Sequence, residues 1–169
     1  LGLFCWLMAV PAQAATEVTV YTASEPELLQ PYTKAFHEAY PDITIKWVRD
    51  SAGPILARLL AEKDAPRADA IFGLSLSAVL TLAQYDLFVP YTPQEVDQIT
   101  PAMRDTSAAP FWTPMNAWGA AICINKPELE KHKLPMPESW ADLADPVYKG
   151  HIVMPTPVSS GTALLAING

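Results

Sequence analysis

The residues of this sequence best suited to contact a small polar molecule are short hydroxyl side chains set beside glycine or proline. They occur around four turns, at Thr22 to Glu25, Asp50 to Gly53, Gly73 to Ser77 and Pro157 to Thr162. In each, a small residue stands just before an apolar stretch with helical spacing: Ser24, Ser51 or Gly53, Ser75 or Ser77, and the pair Ser159 and Ser160 followed by Gly161 and Thr162. A helix N-terminus presents unpaired N–H groups and about half a positive charge, so hydroxyls with close backbone approach make a neutral cradle for an oxyanion. One hydroxyl is enough to cap a helix. The run Ser159-Ser160-Gly161-Thr162 places three hydroxyls and a glycine at one terminus, which singles it out as a binding segment. Glu25 and Asp50 lie beside the same turns and would repel an anion unless a cation stood between. A zwitterion removes the conflict, with its ammonium on Glu25 and its anionic end on the hydroxyl-bearing termini. Glu25 equally suits the first turn of a helix, where the dipole favours a carboxylate. Asp50 reads as a partner of Arg49 or as a cap.

Catalytic patterns do not compete with this reading. There is no Gly-x-Ser-x-Gly elbow, His-Glu-x-x-His pair, phosphate-binding Walker loop or dinucleotide fingerprint. His37, His132 and His151 fall on a helix, in a charged segment and before a strand, and read as surface residues without a common site. Beyond the apolar head of the chain Cys123 is the only cysteine, so it reads as a buried apolar filler, with no disulfide framework or thiolate metal site. No cofactor or metal is expected, and no enzyme activity. The net charge of −7, without a Lys/Arg cluster, argues against a nucleic-acid partner. Tyr21, Trp112 and Trp118 could pack on a ligand, although aromatics in such places usually belong to the core.

The elements that must position these turns alternate in type, the sequence form of a parallel α/β sheet. Val18 to Tyr21, Ile43 to Val48 and Asp69 to Phe72 read as strands. Helices follow each. The first has capping-box spacing from Ser24 to Glu27 and an apolar face of Leu28, Leu29, Tyr32, Ala35, Phe36, Ala39 and Tyr40, with Pro31 bending or restarting it. The second carries Ile55, Leu56, Leu59 and Leu60 inward, and the third Leu76, Val79, Leu80 and Ala83. Thr92 to Glu95 has capping-box spacing with Tyr91 and Val96 as a staple, predicting a short helix. Thr100 to Pro114 reads as irregular connection. Trp118 to Asn125 is a continuous apolar run, predicting a buried strand that crosses into a second lobe. There follow a charged helix near Pro127 to His132, a cap at Ser139 to Asp142, a strand at Ile152 to Met154, and a helix opened by Ser159 to Thr162.

Leu1 to Val10 is apolar, Pro11 breaks it, and Ala12-Gln13-Ala14 has the small-x-small pattern of a signal-peptidase site. Residues 1–14 are therefore expected to be the remnant of a cleaved signal peptide, too short for the ~20 residues of a membrane span. Leu3-Phe4 before Cys5 argues against lipidation. Residues 15–115 are expected to form a first α/β lobe, and residues 116–169 a crossover strand and an incomplete second lobe. The chain is expected to start inside the signal peptide and to stop within the second lobe.

Five segments carry a family resemblance: Val-Tyr-Thr-Ala-Ser-Glu at 20–25, Trp-Val-Arg-Asp-Ser-Ala-Gly at 47–53, Leu-Leu-Ala-Glu-Lys-Asp-Ala-Pro-Arg-Ala-Asp at 59–69, Ser-Trp-Ala-Asp-Leu at 139–143, and Pro-Val-Tyr-Lys-Gly-His-Ile-Val-Met-Pro-Thr-Pro-Val-Ser-Ser-Gly-Thr at 146–162. Together they resemble the periplasmic substrate-binding proteins of ABC importers, in the 2-aminoethylphosphonate branch related to the ferric-iron binders. The resemblance implies a type II periplasmic binding protein of two α/β lobes. Such lobes close on a solute over a hinge, and the closed protein docks as a monomer on a membrane permease. It implies that Ser51 and the Ser159, Ser160, Gly161, Thr162 turn hold phosphonate oxygens, with Thr22, Ser24 and Glu25 on the facing wall. Iron-binding relatives use a His and a Glu from the first lobe and paired tyrosines from the second. Here Glu25 stands where the His would fall and Leu74 near the Glu, which disfavours a ferric site. Two other readings remain: a ferric or other polar-solute binder, and a phosphonate- or phosphate-processing enzyme whose catalytic residues lie in the absent half.

Overall fold

The computed structural model describes residues 16–168, so the expected signal-peptide remnant at 1–14 lies outside the described residues. Three β-α units come first: β1 (Thr16–Thr22), α1 (Pro26–Ala39), β2 (Ile43–Arg49), α2 (Ala52–Ala61), β3 (Ala70–Phe72) and α3 (Leu76–Ala83). Single 3-10 turns at Val96–Gln98 and Pro101–Met103 follow, then α4 (Lys126–Lys131), 3-10 turns at Ala141–Ala144 and Pro146–Tyr148, and α5 (Gly161–Asn168).

The strands are parallel and ordered β2-β1-β3. Tyr21 of β1 stands opposite Val48 of β2 and Ile71 of β3, so these three share a face of the sheet. That face packs against Ile55 and Leu59 of α2 and Leu82 of α3, forming the buried core. On the other face Phe72 meets Trp47 at 5.4 Å and Tyr32 of α1 at 5.1 Å between ring centroids, both edge-on. The Trp47 indole N–H donates to Thr33 Oγ1 at 2.9 Å, fastening α1 to β2. Parallel crossovers are right-handed. A step outward from β1 to β2, then back past β1 to β3, therefore puts α1 on one face and α2 on the other.

Several expectations need correction. α1 does not restart at Pro31 but continues through it from Pro26 to Ala39. The carbonyl that Pro31 cannot bond belongs to exposed Glu27, where water can take it up. Its N-cap is Glu25, with no side-chain cap bond, because Pro26 takes the first helical position, one residue beyond the start that the Ser24–Glu27 box requires. Ser24 instead donates its N–H to Thr22 Oγ1 at 3.0 Å. In α3 the buried residues are Ala78 and Leu82, while Leu76 and Leu80 are about half exposed. The sequence of α3 is apolar nearly all round, so periodicity does not select the face that packs. The box at Thr92 to Glu95 yields only the turn at Val96–Gln98, capped by no side chain. Arg104 holds that turn, donating to the Val96 carbonyl at 2.7 Å and to Asp97 at 2.8 Å.

Neither Trp118 to Asn125 nor Ile152 to Met154 forms a strand. From Gly119 to Asn125 exposure alternates residue by residue, as in extended chain, but no described residue offers a ladder, and a strand exists only with a hydrogen-bonding neighbour. Cys123 is consequently exposed, not a buried filler, and Val153 is 96% exposed. The helix near Pro127 does form, with Asn125 Oδ1 accepting the Glu128 N–H. Ser139 and Asp142 cap reciprocally: Ser139 Oγ accepts the Asp142 N–H, and the Asp142 carboxylate accepts those of Glu138 and Ser139.

Two predictions follow from this packing. Leu82→Ala should cost about 2–5 kcal/mol by urea unfolding, whereas Leu80→Ala should cost under about 1 kcal/mol, reversing the order that the apolar pattern of α3 suggests. The N–H of Glu138, the Ser139 hydroxyl and the Ser139 N–H hold the Asp142 carboxyl below the usual carboxylate range. At Asp105 partial burial pushes upward, but bonds from Ser107 and Phe111 outweigh it and its carboxyl is also lowered. Groups with lowered folded values contribute stability above their unfolded range and lose it as pH falls through the folded one. The melting temperature should therefore drop between about pH 5 and pH 3, and Asp142→Asn should flatten that dependence.

Candidate ligand-binding cleft

The sheet order locates the site. Where the connections from β1 and β3 leave to opposite faces, a crevice opens beyond the carboxyl ends of the strands. There the structure has an open cleft of about 1620 Å³, lined by Ser24, Glu25, Ser51, Ser75, Ser159, Ser160, Gly161 and Thr162. Residues far apart in sequence are thus brought to one surface. Thr22, the remaining candidate, is fully buried, and its hydroxyl holds the Ser24 N–H. It shapes the turn from behind and does not line the cleft.

Glycines allow the close approach. At Gly73, where φ is +70° and any side chain would be strained, Ser24 Oγ packs into the space a Cβ would take, so the turns after β1 and β3 approach closely here. At Gly53 a Cβ would collide with the Val158 carbonyl oxygen, and the Gly53 N–H donates to the Ser159 carbonyl at 3.4 Å. A Cβ on Gly161 would lie 3.8 Å from both Ala52 Cβ and Ser75 Oγ. The N-termini of α2, α3 and α5 therefore converge.

The hydroxyls divide their work unequally. Ser75 Oγ accepts the Ala78 N–H and Ser160 Oγ the Ala163 N–H, each at 3.4 Å, so both act as caps. Ser75 also bonds Ser77 Oγ at 3.0 Å, and Ser159 donates to the Thr156 carbonyl. Ser51 occupies the N-cap of α2 without a side-chain cap bond. The first-turn N–H groups of Ala52, Leu76, Ser77, Gly161 and Thr162 have no acceptor among the described residues. An anion in the cleft would meet these donors and three helix dipoles of one sign.

Charges at the rim are arranged differently from expectation. Glu25 is ion-paired with Arg49, whose Nε also donates to the Ser24 carbonyl at 3.2 Å. Asp50 does not pair with Arg49; its carboxylate takes the Ser51 N–H at 2.7 Å. Arg49 was missed as a site residue. The available signal was its place as the last residue of β2, beside the end of β1. Tyr21 is not a ligand platform but buried support. Its hydroxyl donates to Glu62 at 2.8 Å, and the Arg58 guanidinium lies 4.8 Å from its ring centroid. Burial foremost, then Glu62, raises the Tyr21 phenol, while the bond from Arg58 lowers the Glu62 carboxyl. Trp112 and Trp118 line the cleft. Away from it, His132 and His151 come together, with ring centroids 4.7 Å apart, although the sequence offered no reason to join them.

Residues 68–168 match the sequence profile of a family described as bacterial extracellular solute-binding protein. The chain belongs to this family. Among curated relatives it is 27% identical, over 92% of its length, to a probable ABC transporter periplasmic-binding protein, y4fP, of Sinorhizobium fredii. Among solved structures it resembles the periplasmic binding protein AfuA of Actinobacillus pleuropneumoniae, determined with exogenous fructose-6-phosphate bound, with a TM-score of 0.73 and 27% identity. The match covers 88% of this chain and 47% of that one. The periplasmic binding protein P5PA matches at a TM-score of 0.70 and 25% identity, over 88% of this chain and 48% of that one. The chain thus has the α/β periplasmic binding protein fold, and it spans under half the length of the curated relatives it matches, 46% and 42%.

Gly53→Ala should separate α2 from the turn at Val158 and lower the melting temperature by several degrees. Gly119→Ala, where a Cβ meets nothing within 4 Å, should leave it nearly unchanged. Differential scanning calorimetry of the two variants tests whether the Gly53 contact holds the cleft together.

Proposed function

We propose that this chain is part of the periplasmic, non-catalytic receptor of an ABC importer, and that its solute is a small molecule with a phosphonate or phosphate head. The observation that carries the reading is the convergence of the N-termini of α2, α3 and α5, with unpaired N–H donors, on one cleft. A doubly charged tetrahedral head has enough oxygens to engage donors from several helices at once, and it gains from all three dipoles. Ser51, Ser75, the Ser159 to Thr162 turn, Ser24 and Glu25 are the proposed wall. Of such solutes 2-aminoethylphosphonate follows from the resemblance of the binding segments. The name of the Sinorhizobium fredii relative supports the transport role. Residues 15–115 are proposed as a first lobe and 116–169 as the start of a second, the complete receptor closing on the solute and docking on a membrane permease.

A sugar phosphate is the second reading, favoured by the fructose-6-phosphate named in the AfuA structure. It has the same head group and would use the same donors, with Trp112 and Trp118 beside its sugar.

Titration calorimetry of the full-length receptor with 2-aminoethylphosphonate, fructose-6-phosphate and ferric ion decides among these. Binding of either phosphorus compound, with the ligand recovered unchanged, is the expected result. Uptake of ferric ion alone, or turnover of the phosphonate, would overturn it. Ser51→Ala, which removes one neutral hydrogen bond, should weaken binding roughly two- to tenfold.

A further inference from the structure

We infer that Arg49 is the side chain that contacts the solute's oxyanion, and that Glu25 is a positioning residue that aims it; the inference rests on the oxyanion reading above. Glu25 is then not the receptor for an ammonium group. Arg49 ends β2, on the carboxyl side of the sheet, and lines the cleft with its side chain 37% exposed. Two of its three guanidinium nitrogens are engaged, Nε with the Ser24 carbonyl and one terminal nitrogen with the Glu25 carboxylate. The other, Nη1, has no partner among the described residues. A planar guanidinium held at two corners has little rotamer freedom left to lose when the third binds an anion, and its fork matches a phosphonate or phosphate edge.

The other charges of the cleft are placed for different tasks. Arg67 also lines it but precedes β3, at the amino end of that strand, away from the helix N-termini. Glu62 is taken by Arg58 and Tyr21, and Asp69 accepts the Thr19 N–H at 2.8 Å. Glu25, 64% exposed and at the N-cap of α1, is the carboxylate whose bond fixes the Arg49 plane. The Ser24 carbonyl that accepts the Nε–H bond belongs to the turn after β1 that packs against Gly73, so Arg49 is oriented by the same packing that forms the crevice.

The test compares 2-aminoethylphosphonate with ethylphosphonate, which lacks the amine, by calorimetry on the full-length receptor. Thermal melts confirm that each variant folds. Arg49→Ala and Arg49→Gln should each weaken both probes by a similar factor, roughly ten- to hundredfold, as expected for loss of a charged hydrogen-bond donor. Arg49→Lys should recover part of that loss. Glu25→Gln keeps an acceptor for the guanidinium and should weaken both probes equally and by less than about threefold, with Glu25→Ala costing more, again equally for both. Unchanged binding in folded Arg49→Ala and Arg49→Gln would overturn the inference while leaving the oxyanion reading intact. A Glu25→Gln loss confined to the aminated probe would assign the ammonium to Glu25 and overturn its positioning role. Wild-type receptor that binds neither probe nor fructose-6-phosphate would overturn the oxyanion reading itself, and this inference with it.

Discussion

Three parallel strands bonded in the order β2-β1-β3 constrain where everything else in this protein can lie. With β1 in the middle, its two neighbours are reached by crossovers on opposite faces, and the connections diverge above the carboxyl ends of β1 and β3. That divergence leaves a crevice and aims helix starts at it. The turns on either side of the crevice must still come close. They do so through Gly73, where the backbone takes a positive φ and Ser24 Oγ occupies the space a Cβ would need. Gly53 performs the equivalent task against the turn at Val158. These two glycines turn a gap between helices into a continuous wall of N–H donors.

Under the proposed function, the wall would let an acidic chain, with a net charge of −7, hold an anion. Peptide dipoles supply positive potential without adding cations. Of the cleft's arginines, Arg49 lies at the carboxyl end of the sheet, and its charge is partly offset by Glu25. Such a pair keeps the site close to neutral when it is empty. Directed N–H groups, more than net charge, then decide what binds. Hydroxyls that act as caps, such as Ser75 and Ser160, contribute indirectly, by holding their helix starts in register with the cleft.

Legibility was uneven along the chain, for identifiable reasons. The strands and helices from β1 to α3 were readable because β1 and β2 alternate apolar with polar residues, β3 is a short apolar run, and α1 has a distinct polar side. The burial of Leu82 in preference to Leu80 was not readable, since α3 offers apolar residues in nearly every direction and its neighbours choose among them. Trp118 to Asn125 and Ile152 to Met154 have strand-like composition but no strand. Composition expresses what a segment would do beside a partner, and the described residues supply none.

By itself, then, the order of residues determined the alternation of strands and helices and the placing of hydroxyls and glycines at helix starts, because these depend on local backbone chemistry. Tertiary structure alone decided that Ser24, Ser51, Ser75 and the Ser159 to Thr162 turn face one cleft, that Thr22 is sealed behind it, and that Glu25 is joined to Arg49. Those outcomes depend on which strand lies beside which, and strand order is set by packing between segments too far apart in the chain for local pattern to register.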